Sequence, residues 1–495
     1  MGVQVTRYSL IEYEQHKIWG KEVKVDFTKL DRAFNPRCIA VVGDSKKINF
    51  MWLKTESTFR GKLYSVQTNP NTIKDIETLG VKNYTSLLDI PEPVDLVIVS
   101  VPRAVAPKVL GDCIQKEVAG AFFFTSGFSE TDTEEGRRLE HLLTEKAEQA
   151  NFHLIGPNCM GIFNPAIGLR QDQFQYTGLA GPVGFISQSG THAETFSLEA
   201  HLQGVDINKS VSFGNGVVLD STDYLEYFGH QIDIEAIGMY LEGVRDGRRF
   251  LTVLKEVSAR KPVVIWRGGR TEEGGRATAS HTGSLAKPQA IWNATVRQGG
   301  AIEVKSMEEL IDTLKALLYL PPVRGNGVAI AGGSGGQSVV ITDAFVEAGL
   351  KVPLLTQKSY DRFAAFFPLV GVSYRNPIDI YNPDHKLLRR IMEILEEDAN
   401  IDNLVLLVLP EGGNRHPAEE VEKGISSVVE IRKRTLKPIV AIFASFSSTK
   451  GMQQASRMAQ KLQDGGIPAF ITLERGARAL KNALDYHNFK NSIVN

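Results

Sequence analysis

The sequence predicts an α/β protein of three consecutive doubly wound domains, the first of them Rossmann-like. Its 495 residues exceed what one hydrophobic core can organise and suffice for about three domains. Short apolar runs rich in β-branched residues alternate with amphipathic stretches, a pattern typical of parallel sheets buried on both faces. Turns rich in glycine and serine follow several of these runs, as expected where a strand passes into a helix.

The first domain is predicted over residues 31–168, after an N-terminal extension of residues 1–30 that shows no clear periodicity. No GxGxxG motif follows its first strand and no acidic residue ends its second, which disfavours a nicotinamide cofactor. Its strands are expected at 38–42, 63–66, 95–99 and 120–124, and its helices include 104–116 and 134–150.

Two similar series follow along the chain. A second domain is predicted over 179–320, and a turn-rich linker over 320–326 leads to a third domain over 326–485. Both series alternate strands with helical patterns, so each is expected to be doubly wound. The strands are expected at 181–186, 237–241 and 262–266 in the second domain, and at 328–331, 404–409 and 438–443 in the third.

Composition excludes several classes of protein. The 56 Lys and Arg residues nearly balance the 57 Asp and Glu residues, so neither a nucleic acid nor a membrane is expected as a partner. The three cysteines lack CxxC spacing, and neither a disulfide framework nor a metal site is predicted. The N-terminus lacks an apolar segment, and no later run approaches 18 apolar residues. We therefore expect a soluble, cytoplasmic protein.

Four turns of the first domain are candidates for binding a nucleotide-like ligand, because ligands of parallel sheets bind beyond the carboxyl ends of the strands. These turns lie at 43–45, 69–71, 100–102 and 125–128. The alternative is that they are ordinary connections without a ligand. The binding residues predicted in this domain are Gly43, Ser45, Lys47, Asn69, Val99, Pro102, Ser126, Gly127 and Asn158.

Two further turns are suited to phosphate, one in each of the later domains. Residues 186–190 and 331–336 each lead from a strand into a helical pattern, where backbone N–H groups and the helix dipole attract anions. The second turn lacks the GK[ST] ending of a Walker motif, and both turns have the alternative explanation that they merely need glycine. The predicted phosphate-binding residues are Ser187, Gln188, Ser189, Gly190, Gly333, Gly335, Gly336 and Gln337.

His281 is the candidate nucleophile. Glycine pairs at 268–269 and 274–275 precede it, so we expect it after the third strand of the second domain, on a loop rather than in a helix. Such a loop could carry the imidazole from one place to another. A nucleophilic imidazole needs an acceptor for its other nitrogen, and Glu242 follows a buried apolar run at the functional edge. With two phosphate-binding helix ends, this pair suggests a phosphorylated histidine. The alternatives are a histidine that faces water and a solvated glutamate.

Ten motifs in a fixed order carry a resemblance to a known family. They lie at 31–36, 41–43, 91–95, 156–161, 186–190, 212–215, 240–244, 279–286, 376–379 and 466–468. Over residues 30–485 the chain resembles the α subunit of ADP-forming (NDP-forming) acyl-CoA synthetases, relatives of succinyl-CoA synthetase. The resemblance implies a CoA-binding Rossmann-like domain followed by two flavodoxin-like domains.

The resemblance also implies an acid–thiol ligase that interconverts acyl-CoA, ADP and phosphate with a small carboxylic acid, ATP and CoA. An acyl phosphate would form first, and His281 would take its phosphoryl group and pass it to ADP. Glu242 would orient this histidine, and residues 187–190 and 333–338 would cradle it. Since no segment resembles an ATP-grasp domain, the resemblance further implies a β subunit that binds nucleotide and Mg²⁺, in an α2β2 or similar assembly, without which the chain should not turn over ATP.

Two alternatives stay open, a CoA transferase of the same superfamily and a non-catalytic CoA-binding or sensing protein. The chain also departs from the family pattern at four places. Asp44 puts a carboxylate where CoA phosphates would approach, residues 191–192 stand where small apolar residues are usual, and residues 266–267 replace a smaller pair. Residues 332–336 replace a more usual Asn-Ala-Gly-Gly-Pro turn. These substitutions predict an acid larger than acetate or an altered chemistry.

Overall fold

The computed structural model describes residues 24–282, 289–333, 335–367, 373–380, 384–411, 418–443 and 448–494. Residues 1–23 of the predicted extension, residues 283–286 of the motif around His281, and Ser334 lie outside this part. Within it the chain forms three mainly parallel sheets flanked by helices, which confirms the predicted fold class. The predicted domain limits stay predictions.

The first sheet has six parallel strands in the order β3-β2-β1-β4-β5-β6, the doubly wound order of dinucleotide-binding domains. The chain reverses direction across the sheet between β1 and β4, so the turns after these two strands meet. The strands are β1 Cys38–Val42, β2 Lys62–Val66, β3 Lys82–Tyr84, β4 Leu96–Val99, β5 Gly120–Phe123 and β6 Leu154–Ile155. The helices are α1 Phe27–Phe34, α2 Met51–Thr55, α3 Pro70–Thr78, α4 Ala106–Gln115 and α5 Glu134–Gln149.

Helix α1 begins inside the predicted N-terminal extension. The Asp26 carboxylate accepts from the backbone N–H groups of Thr28 (2.9 Å) and Lys29 (3.2 Å) and so caps the helix. Leu30 and Phe34 on its inner face are fully buried. Helical structure is therefore present before residue 31, where the sequence pattern indicated none, because a helix of 8 residues is too short to show clear periodicity.

The second sheet has the order β12-β11-β10-β8-β9-β7. Strands β8 to β12 are parallel in the flavodoxin-like order, and β7 adds to β9 antiparallel. The strands are β7 Gly161–Phe163, β8 Val183–Ser187, β9 Ile207–Ser212, β10 Ala236–Leu241, β11 Val263–Arg267 and β12 Ile302–Val304. The helices are α6 Gly190–Leu202, α7 Ser221–His230, α8 Gly247–Ser258, α9 Glu272–Thr282, α10 Gln289–Gly299 and α11 Met307–Tyr319.

Strand β9 was missed because four of the six residues in its sequence, INKSVS, are polar, although all six are buried. Asn208 and Lys209 find partners, since the Asn208 amide donates to the Gly181 carbonyl (3.0 Å) and Lys209 donates to Asn208 (3.0 Å). The segment with His281 therefore follows the fourth parallel strand of this sheet, and its placement after a third strand was wrong.

The third sheet is parallel, in the order β13-β14-β15-β16, and Ile378 bridges to β13 on its other side. Helix α17 packs against α11 and so joins the third domain to the second. None of the helices in the described ranges is both long and apolar enough to cross a membrane. The strands are β13 Val328–Ala331, β14 Asn403–Val408, β15 Ile439–Phe443 and β16 Ala469–Phe470. The helices are α12 Gly335–Glu347, α13 Gln357–Ala364, α14 His385–Glu397, α15 Ala418–Arg432, α16 Thr449–Asp464 and α17 Leu473–Val494.

Candidate active site

Glu242 lies at the switch point of the second sheet, directly after β10 and beside the turn that follows β8. Its side chain is only 9% exposed, which does not fit a solvated strand-end residue. The Gln188 side-chain oxygen accepts from the backbone N–H groups of Glu242 (2.9 Å) and Gly243 (3.3 Å), and the Gln188 N–H donates to the Tyr240 carbonyl (3.0 Å). The two turns are thereby tied together where ligands of such sheets bind.

Tyr240 contacts the carboxylate of Glu242 and was given no role from the sequence. Its hydroxyl donates to Glu242 Oε1 at 3.3 Å. Burial, with the Glu242 charge as a smaller cause, raises the pKa of Tyr240, so the phenol stays protonated and able to donate. The sequence did contain one indication of this contact. Tyr240 lies two residues before Glu242, and residues two apart on a strand share a face.

The turn after β8 is held mainly by its own side chains. Ser187 is fully buried, and its hydroxyl donates to the Ser189 carbonyl (2.6 Å). Ser189 caps α6 by accepting from the His192 N–H (3.3 Å). The predicted phosphate-binding side chains of Ser187 and Gln188 therefore support the turn and Glu242. The part suited to an anion is the start of α6 at Gly190, where a Cβ would lie 2.7 Å from Met160 Cγ.

The turn after β13 is rich in glycine, with Gly332, Gly333, Gly335 and Gly336 around Ser334. Gly332 and Gly333 have φ of +106° and +90°, and a Cβ at Gly332 would lie 2.9 Å from the Leu407 carbonyl oxygen. Helix α12 then begins at Gly335, and a Cβ at Gly336 would meet nothing within 4 Å. The half-buried Gln337 follows in the first turn of α12. This N-terminus is suited to an anion, as the sequence predicted.

His281 falls in helix α9, so its predicted loop conformation was wrong. Thr271 caps this helix, because its hydroxyl accepts from the Gly274 N–H (3.0 Å) and its carbonyl from the Gly275 N–H (2.8 Å). Two glutamates in the first turn also favour the helix over the flexibility of the glycines. The side chain of His281 lies outside the described part of the structure.

Helix α9 reaches from the second domain to the first. At its base, Thr278 packs so closely on Gly269 that a Cβ there would lie 2.6 Å from the threonine hydroxyl. Its backbone also contacts the turn Ser129–Thr131 that follows β5. The helix that carries His281 therefore lies against the predicted CoA-binding domain.

The turns after β1 and β4 meet at the switch point of the first sheet. Gly43 has φ +91°, and a Cβ there would lie 2.6 Å from the Ser100 carbonyl oxygen. The buried carboxylate of Asp44 points inward, where it accepts from the N–H groups of Ser45 and Leu53, both at 2.9 Å. The expectation that it would face CoA phosphates was wrong, because it caps α2 instead.

Other predicted residues of this domain divide into two groups. The exposed residues Lys47, Pro102 and Ser126 lie beyond the carboxyl ends of the strands. The side chains of Asn69 and Val99 are used internally, since Asn69 caps α3 and Val99 is fully buried.

Two of the predicted positions are engaged through their backbone. The Asn158 N–H donates to the Thr125 carbonyl (3.0 Å), which joins the loop before β7 to the turn after β5. The Gly127 N–H donates to the Glu130 carboxylate (2.6 Å) and is not available for a phosphate.

Asn215 links the first two domains and was also missed. Its side-chain amide donates to Glu130 Oε2 and to Glu140 Oε2, each at 2.9 Å. Glu140 also accepts from the Ser129 hydroxyl (2.7 Å), next to the turn that α9 contacts. Asn215 ends the family motif at 212–215, but its partners Glu130 and Glu140 are 85 and 75 residues away in the sequence, so no local pattern predicted these contacts.

Comparisons with known proteins agree with this geometry. Residues 37–165 match the family described as CoA binding domain, and residues 180–317 match the family described as succinyl-CoA ligase like flavodoxin domain. The chain is 35% identical over 457 residues to the alpha subunit of ADP-forming acetate–CoA ligase II of Pyrococcus furiosus, covering 91% of this chain and 96% of that one.

Two further proteins are similar to this chain over more than 90% of its length. ADP-forming acetate–CoA ligase I of Archaeoglobus fulgidus is 35% identical over 91% of this chain, but this chain covers only 63% of it. The solved structure of dinucleotide forming acetyl-coenzyme A synthetase 1 of Ca. Korarchaeum cryptofilum, in complex with phosphate and ADP, superimposes with a TM-score of 0.80. It is 28% identical and is covered to 99%, with 94% of this chain aligned. The chain thus belongs to the α-subunit family of ADP-forming acyl-CoA synthetases, within the succinyl-CoA synthetase superfamily.

Proposed function

We propose that this chain is the α subunit of an ADP-forming acyl-CoA synthetase and carries the phosphohistidine of that enzyme at His281. Phosphate attacks the thioester carbonyl of acyl-CoA, forming an acyl phosphate and expelling the CoA thiolate. The His281 imidazole then attacks phosphorus, and the bond from phosphorus to the acyl oxygen breaks to release the carboxylic acid. Transfer of the phosphoryl group to ADP gives ATP and restores the imidazole.

The observation that carries this proposal is the position of Glu242. Its buried carboxylate lies at the switch point of the second sheet, next to the start of α6. Helix α9, which contains His281, follows β11, the strand beside β10. Glu242 would accept the second imidazole N–H and balance the positive charge that develops on the ring. The helix N-termini at Gly190 and Gly335 would stabilise the transferring phosphoryl group, which needs positioning and charge neutralisation more than covalent help.

The first domain would bind CoA at the turns after β1, β4 and β5. Gly43 brings the backbone of the turn after β1 against Ser100 and Val101 at the switch point, and Lys46 and Lys47 stand exposed on the next turn. These features suit the phosphates of CoA. Because α9 contacts Ser129–Thr131, the thioester end of CoA would lie near the helix that carries His281.

The transfer to ADP would require a partner. Relatives of this chain are named as alpha subunits, and the relative from Archaeoglobus fulgidus continues well beyond the part that this chain matches. We propose an ATP-grasp β subunit that binds ADP and Mg²⁺, with an α2β2 or similar assembly in the cytoplasm.

Single-turnover release of CoA thiol tests the proposed reaction. The purified chain, alone and with a co-expressed ATP-grasp subunit, is mixed with phosphate and acyl-CoAs from acetyl to aromatic acyl groups. We expect thiol release that requires phosphate, and ATP formation only when the partner and ADP are added. Release without phosphate, with a second acid accepting the CoA, would instead identify a transferase.

A further inference from the structure

We infer that Tyr240 is a positioning residue for Glu242. Tyr240 orients the carboxylate of Glu242, and Gln188 holds the backbone of the same residue. This inference rests on the proposed function, because it gives Tyr240 a part in the phosphorylation of His281. It assigns to one tyrosine the task of keeping a charged side chain in a single orientation at the point where phosphoryl transfer would occur.

The described contacts of Glu242 engage its backbone and its side chain separately. Gln188 Oε1 accepts from the N–H groups of Glu242 and Gly243, which places the start of the side chain but does not set its torsions. The Tyr240 hydroxyl, at 3.3 Å from Oε1, contacts the carboxylate itself and restricts those torsions. In the proposed mechanism Oε2 would receive the imidazole N–H, so the two oxygens would have different donors.

The tyrosine ring is itself immobilised. Its centroid lies 4.4 Å from that of His192 and 4.7 Å from that of Trp266, and these two rings are 4.7 Å apart. The three rings fill the space between the first turn of α6 and strands β10 and β11. Burial lowers the pKa of His192, so this neighbour is neutral near pH 7 and places no charge beside the tyrosine.

Gly268 closes the other side of the hydroxyl. A Cβ at this position would lie 2.6 Å from the Tyr240 hydroxyl oxygen and 3.4 Å from Glu242 Cγ. Gly268 begins the segment that leads from β11 to α9. The residues that depart from the family pattern, His192 and Trp266, therefore brace the tyrosine that holds the proposed catalytic carboxylate.

A double-mutant cycle tests the inference. Tyr240→Phe removes one hydroxyl and keeps the ring packing, and phosphorylation of the chain by acyl-CoA and phosphate is followed by rapid quench. Because a hydrogen bond to a charged group is lost, we expect the single-turnover rate to fall about 10-fold, with KM for acyl-CoA unchanged. In the Glu242→Gln background the same substitution should change the rate by less than about 2-fold, since coupled residues are not additive.

Tyr227→Phe is the matched control. Tyr227 is buried like Tyr240, and its hydroxyl also donates to a carboxylate, that of Asp31 at 3.1 Å, on helix α1. An equal loss of rate for Tyr240→Phe in the wild-type and Glu242→Gln backgrounds would overturn the inference, as would no loss in either. A wild-type chain that forms no phosphohistidine would overturn the proposed function, and this inference with it.

Discussion

The turns after β8 and β13 occupy the same place in two sheets and are built in opposite ways. The turn after β8 is held by side chains, with Ser187 and Ser189 bonded within it and Gln188 tied to the next strand. The turn after β13 has glycines at positive φ, close to Leu407. Each sheet also has a glutamate near the end of the neighbouring strand, Glu242 after β10 and Glu411 after β14.

The difference indicates a division of roles between the two turns. Side chains in the turn after β8 position the carboxylate of Glu242, whereas the glycines after β13 leave the N-terminus of α12 accessible to an anion. The two glutamates differ accordingly, because Glu242 accepts from a buried tyrosine while Glu411 accepts from the hydroxyl of Ser448, the residue that caps α16. The first arrangement is suited to orient an imidazole and the second to admit a phosphoryl group.

The largest effect is expected from Glu242→Gln. This change keeps the size of the side chain and removes its charge, so we expect phosphorylation by acyl-CoA and phosphate to slow by about 100-fold in rapid-quench assays. Glu411→Gln is the matched control and should slow it by less than about 3-fold, since Glu411 accepts from the hydroxyl of Ser448, which caps α16. Equal losses in the two variants would show that the two turns share one role.

Gln188→Met separates support of Glu242 from direct phosphate binding. The variant leaves two backbone N–H groups, those of Glu242 and Gly243, without their acceptor, and we expect a loss of about 1–3 kcal/mol in the free energy of unfolding. Phosphorylation should fall about 10-fold in kcat, with KM for phosphate unchanged, because carboxylate position and not phosphate contact is lost. A rise in the KM for phosphate without a fall in kcat would support the direct phosphate binding by Gln188 that the sequence predicted.

Two alanine substitutions probe the turn after β13. Gly333→Ala forces a side chain into the left-handed region, 3.0 Å from the Leu407 side chain, and should lower the free energy of unfolding by about 1–2 kcal/mol. Gly336→Ala should raise it by about 0.5–1 kcal/mol, since its Cβ meets nothing and alanine favours a helix. Denaturant unfolding measures both values. If Gly336→Ala also slows phosphorylation, the helix start is the place that the phosphoryl group approaches.

The smallest expected effect is on stability and concerns the interface between the second and third domains. Lys315 is buried at this interface, where it donates to the Ala469 carbonyl (3.2 Å), and burial lowers its pKa to about 8. The pKa of a lysine in the unfolded chain is about 10.4. Between pH 8 and this value the unfolded chain therefore binds more protons than the folded chain. The free energy of unfolding rises with pH in this range, by at most about 1 kcal/mol per pH unit. In Lys315→Met this slope should vanish in urea unfolding between pH 8 and 10. A slope that persists would assign it to another group.

Most of the fold could be predicted from the sequence, because buried parallel strands are apolar and their turns are rich in glycine. Strand β9 could not, since four of its six residues are polar and the partner of Asn208, the Gly181 carbonyl, is distant in sequence. The helical state of His281 was missed because the neighbouring glycines favour a loop, whereas the cap by Thr271 favours a helix.

The site was predicted at the level of turns rather than contacts. Glu242 was located by its place after an apolar run, but the side chains of Gln188, Asp44 and Asn69 proved to bond internally. Such pairings depend on how side chains turn at the end of a strand, which sequence spacing does not determine. For Tyr240 and Glu242, the spacing of two residues indicated a shared face of the strand but not the hydrogen bond between them.

Locating the phosphoryl group on the chain tests the central claim most directly. The wild-type chain and His281→Asn are incubated with phosphate and the acyl-CoA that gives thiol release, and acid-labile phosphate is mapped by tandem mass spectrometry under alkaline conditions. We predict one phosphoryl group on His281 in the wild type and none in the variant. Phosphate on another residue, or ATP formation undiminished in His281→Asn, would contradict the account.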